Sequence, residues 1–87
     1  MFGGEKEEIE AECEHYLLES VFDRFGKGIE IKKVNEKRFK IKIHANTLGF
    51  KFWALRNLDA VEVLKPLSLR NEIREIIQDA EKRYKKE

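Results

Sequence analysis

The chain has 87 residues, too few for more than one domain and enough for only a modest core. It is 41% hydrophobic and 40% charged with a net charge of +1, so bulk charge argues for neither a nucleic-acid nor a membrane partner. Cys13 is the single cysteine, which excludes an intrachain disulfide and points to a reducing, cytoplasmic setting, and no apolar run approaches the ~20 residues of a membrane helix.

Charge is unevenly spread along the chain. Residues 1–23 hold eight acids and one base, residues 24–56 ten bases and two acids, and the remainder seven of each. Residues 5–14 alternate, with Glu8, Glu10 and Glu12 set against Ile9, Ala11 and Cys13, which predicts a strand with one acidic face. His15 to Phe25 is helical, because Leu18, Val21, Phe22 and Phe25 recur at i, i+3, i+4 and i+7. Gly26 stands where a left-handed glycine cap belongs. Ile29 to Lys32 starts a second strand, and Asn35-Glu36-Lys37 makes a turn. Arg38 to His44 then alternates strictly, Phe39, Ile41 and Ile43 on one face and Arg38, Lys40, Lys42 and His44 on the other.

Asn46 or Thr47 caps a short helix over 48–56, rich in Phe50, Phe52, Trp53 and Leu55. These aromatic residues cannot all face the sheet, so part of the set is left for another surface. Ala60 to Leu64 is the last strand, ended by Pro66, which lacks a backbone donor. Ser68 caps a final helix with the apolar stripe Leu69, Ile73, Ile76, Ile77, Ala80 and Tyr84. A helix of this length is marginal alone in water and must dock, within the chain or on another. The order βαββαβ plus a helix predicts an α+β, ferredoxin-like split sheet of strand order 4-1-3-2, helices on one face. In that order Lys40 and Lys42 neighbour Glu8, Glu10 and Glu12, so most of the segregated charge forms a cross-strand ladder.

Little catalytic chemistry is written in the chain. His15 and His44 lie far apart and form no metal-ligand spacing, Cys13 faces the apolar side, and neither Gly3-Gly4 nor Gly26-Lys-Gly28 has the spacing of a phosphate loop. The chain reads as a non-enzyme without cofactor or metal. The open sheet face carries charge where RNA-recognition folds carry stacking aromatics. Phosphate or effector contacts would fall to the basic residues Arg24, Lys27, Lys32, Lys33 and Arg56.

The residues Trp53, Val61-Glu62-Val63-Leu64, Pro66, Leu69-Arg70, Ile73 and Tyr84, with Asp23-Arg24-Phe25-Gly26 and Phe39 to Ile43 upstream, occur in an order and spacing that resembles the C-terminal extension (WCX) domain of WYL-type bacterial transcription regulators. The likeness covers nearly the whole chain. It implies the same ferredoxin-like fold and a single domain over 1–87, with 1–4 a connector remnant and 68–85 the last helix. In that family a helix-turn-helix domain and a Sm-like WYL domain precede the extension, which serves dimer assembly and transmission of the ligand signal. Neither preceding domain is here, and Tyr16-Leu17-Leu18 does not replace the Trp-Tyr-Leu triplet, so the chain is expected to be a fragment or a shortened regulator and DNA reading does not carry over. The resemblance implies a regulatory or oligomerising role, with effector sensing at most assisted by this domain. The residues expected to carry self-association are Phe50, Trp53, Arg70, Ile73, Ile77 and Tyr84. The expected partners are a second copy or the neighbouring WYL domain of the same regulator; nucleic acid would not be bound by this domain alone, and no membrane is involved. The alternative is a ferredoxin-like small-molecule or nucleic-acid-binding module that uses the basic residues.

Overall fold

Alternation of apolar and charged residues lays down the sheet. In a computed structural model describing residues 6–26 and 28–85, β1 spans Lys6–Glu14, β2 Glu30–Lys33, β3 Arg38–Asn46 and β4 Val61–Lys65. The four strands form one antiparallel sheet in the order β2-β3-β1-β4, which read from the β4 edge is 4-1-3-2. The long β1–β3 pair sets Ile9 opposite Ile43, Ala11 opposite Ile41 and Cys13 opposite Phe39, and all six side chains are buried. Val63 and Val61 continue these rows on β4. The register slips between Glu10 and Ala11, so a bulge in β4 brings Lys65 opposite Glu10. The β2–β3 turn is closed by Asn35, whose Oδ1 accepts from the amides of Lys37 and Arg38 at 2.8 and 2.9 Å.

The helices cover the apolar face of the sheet. A 3-10 turn, His15–Leu17, precedes α1, Leu18–Phe25. The helix meets the core along the side of Leu17 and Val21: these two are buried and Leu18 and Phe25 partly so, while Phe22, expected inside, is 46% exposed. Gly26 follows with φ 76° and ψ −163° rather than the left-handed helical pair, a conformation essentially reserved for glycine, and its amide donates to the Phe22 carbonyl at 2.9 Å. The next helix, α2, spans Thr47–Arg56 and is capped by Asn46, whose Oδ1 accepts from the Gly49 amide at 3.0 Å. It buries Phe50, Trp53 and Ala54 and leaves Phe52 outside, 54% exposed. Phe25, Phe50 and Trp53 meet as a ring cluster with centroids 5.1–5.4 Å apart.

The last helix, α3, spans Leu67–Tyr84. It begins directly after Pro66, which stands at the N-cap, and Ser68 lies inside the first turn instead of capping it; the Arg70 amide donates to the Pro66 carbonyl at 3.1 Å. α3 packs on β4 and α2 within the chain. Leu69 and Ile73 complete the core there, and Lys51 of α2 meets Glu72 at 3.4 Å. Of the six residues in the stripe only these two are buried, so the helix docks through its first half and runs on past the body. No helix among the described residues is long and apolar enough to cross a membrane.

Candidate functional site

The face of the sheet away from the helices is a charge ladder. Register pairs Glu10 with Lys42, Glu12 with Lys40, Glu14 with Arg38 and Glu8 with His44. Glu10 is the hub, with the ammonium groups of Lys40, Lys42 and Lys65 at 3.8, 4.0 and 4.0 Å. Arg38 forks onto Glu12 and Glu14 at 3.1 and 3.0 Å, and the hydrogen bond to Glu12, then the charge of Glu14, raise its pKa above the usual arginine value. Two positions carry like charge against like: Lys32 faces Lys40, and Glu62 faces Glu12. The neighbouring Arg38–Glu12 and Arg70–Glu62 bonds offset this repulsion at Glu12 and Glu62. Most of the charges on this face are paired within it, and its strand positions hold no aromatic platform for a base.

The candidate basic residues do not gather on one surface. Lys32 is on the charged face of β2, and Lys33, the next residue on the strand, is on the opposite face beside Phe39. Arg24 of α1 and Arg56 of α2 line an open hollow of about 740 Å³ above Trp53, but Glu19 and Asp23 line it too. Lys27 lies outside the described residues. Arg24 and Arg56, Lys32, and Lys33 therefore lie in separate places and form no shared phosphate cradle. His15 packs edge-on against Phe39 at 6.4 Å, and His44 is exposed on the ladder. Among the described residues no group of three His, Cys, Asp or Glu is placed to hold a metal.

Cys13 is buried under the helices, and burial first, then the charge of Glu12, pushes its thiol up to about 12. Because the thiolate is the reactive form, Cys13 in the folded chain is expected to resist a disulfide reagent at pH 8 and to react fully once urea unfolds the chain; equal rates in both states would place it at the surface. A raised acid pKa also fixes the direction of linkage. Above the ordinary thiol value the unfolded chain loses a proton that the folded chain keeps, so the Cys13 contribution to stability falls as pH rises from 9.0 toward about 12.

The expected contact residues separate into two groups. Phe50 and Trp53 are buried in the chain's own core and offer no contact surface; Ile73 is buried there too and shows only an edge, to the groove between β4 and α3. Arg70 is half-buried, its Nη1 donating to the Glu62 carboxylate and to the Val63 carbonyl, both at 2.8 Å, so it shields the outer edge of β4. Ile77 and Tyr84 are exposed, Tyr84 to 89%. Ile76 lies exposed beside Ile77. Between β4 and α3 runs a groove of about 310 Å³ with the apolar floor Leu58, Val61, Val63, Ile73 and Ile77. Glu62, Arg70 and Arg74 form its rim. Sequence reading missed Leu58, Arg74 and the strand valines as members of one site. The valines were legible as core, but nothing local to Leu58 announces that the turn after α2 sets it beside α3.

No family model matches the chain, and neither a curated protein nor a solved structure was found to match it.

Proposed function

We propose that the chain is a non-enzymatic regulatory and self-association module of the kind that closes WYL-type bacterial transcription regulators, built on a ferredoxin-like βαββαβ split sheet with one added helix. The strand order, the two helices on one face and the residues that resemble the C-terminal extension support the fold part of this reading. One observation carries the functional part: α3 continues beyond the body with Ile76, Ile77 and Tyr84 exposed along its stripe, next to an apolar groove. Apolar side chains clustered this way on a small, highly charged domain mark a contact surface. The rival basic-patch reading lacks a single surface on which Arg24, Lys32, Lys33 and Arg56 could act together.

Light scattering of the intact chain and of Ile77→Glu tests the proposal. The intact chain is expected to be a dimer at micromolar concentration. Ile77→Glu should be a folded monomer, because a carboxylate placed at a buried contact loses its water without gaining a partner. An intact chain that stays monomeric at high micromolar concentration would overturn the reading.

A further inference from the structure

The geometry points to a specific self-complementary seam: α3 of a second copy lies antiparallel on this α3 and places its Tyr84 in the groove beside β4. This rests on the self-association reading and names the partner and its register. The groove touches α3 at positions 70, 73, 74 and 77. Along the same helix, positions 70, 73, 77, 80 and 84 recur at spacings of three and four, the repeat by which one helix packs on another. An isologous contact must bring the same patch of both copies together, so each copy has to supply both a groove and the group that fills it. α3 supplies both. Its first half lines the groove, and its last residue, Tyr84, is a large, highly exposed side chain.

A two-fold axis between Gln78 and Asp79 satisfies this requirement. It sets Ile73 opposite Tyr84 of the second copy and Ile77 opposite Ala80, so each ring meets the groove formed by Ile73, Ile77 and Leu58. Charge agrees with the register. Arg74 and Glu81 each follow a seam position by one residue, and the same axis brings Arg74 of one copy beside Glu81 of the other, twice per dimer. Arg74 makes no ion pair within its own chain among the described residues, and Glu81 has only an exposed contact to Lys85 at 3.6 Å. A parallel arrangement would set Arg74 beside Leu69 and Glu81 beside Ile76 and would form no such ion pair. The seam therefore selects both the partner, a copy of this chain, and its direction.

The test is a charge-reversal cycle read as the dimer dissociation constant by sedimentation equilibrium, with circular dichroism to confirm folding. Arg74→Glu and Glu81→Arg are each expected to weaken the dimer about tenfold, since two exposed pairs turn repulsive at once, and the double variant should restore it. Tyr84→Ser should weaken it further without loss of helix. A dimeric parent whose constant ignores the single reversals, or a double variant that stays weak, overturns the seam while the self-association reading stands. A parent that is monomeric at high micromolar concentration overturns both, as would be seen if another domain of a longer chain covers the groove.

Discussion

Replacing Phe50 by alanine is expected to lower the stability of the folded chain by about 3–5 kcal/mol. Phe50 is among the largest fully buried side chains, and its ring lies 5.4 Å from both Phe25 and Trp53. Two helices meet there, because Phe25 closes α1 and the other two rings belong to α2. Truncation leaves a cavity that neither neighbour can fill without leaving its own packing, which adds to the lost transfer free energy. Domains of this size hold only about 5–15 kcal/mol in total, so the variant should be partly unfolded near physiological temperature. Urea unfolding followed by circular dichroism measures the effect. Phe52→Ala is the control: two positions away on the same helix but half exposed, it is expected to change stability by about 0.5 kcal/mol or less. Equal midpoints for the two variants would mean that α2 does not present the face described.

Shortening the chain within α3 should show a sharp boundary. Ending it after Pro66 removes Leu69 and Ile73 from the core, worth together about 3–6 kcal/mol. It also uncovers Val61 and Val63 and leaves the Val63 carbonyl without the Arg70 guanidinium. That variant is expected to be unfolded at room temperature. Ending the chain after Glu75 keeps Leu69, Arg70 and Ile73 and discards only the overhanging half, and this variant is expected to stay folded, to lose about 1 kcal/mol or less, and to be monomeric. Circular dichroism and light scattering on the two truncations give both answers. A folded Pro66 truncation with an unchanged urea midpoint would show that α3 adds nothing to the core.

Phe22 and Ile76 show how sequence and structure differ here. Each lies on a regular apolar stripe, and each is exposed. For Phe22 the helix meets the sheet along the side of Leu17 and Val21, and position 22, one residue past Val21, points away from it. For Ile76 the helical period is right, but the body of the molecule ends beneath Ile73. Periodicity reports which face of an element is apolar, not how far another element extends to cover it. The basic residues failed to gather for a similar reason, since Lys32 and Lys33 are consecutive on a strand and point to opposite faces.

By itself the sequence determined the faces of the sheet. Glu8 to Cys13 and Arg38 to Ile43 alternate strictly enough that a shift of one residue would bury charge, so the core rows and the ladder on the far face follow from pattern alone. The Asn46 cap and the strand end at Pro66 are equally local, each set by the chemistry of one residue. Tertiary structure decided which of Phe50, Phe52 and Trp53 stays outside, that a bulge would bring Lys65 to Glu10, and that α3 would dock through its first half only. These outcomes depend on contacts between segments distant in the chain, and the energy of burying an apolar side chain is set by what lies opposite it, which no local pattern contains.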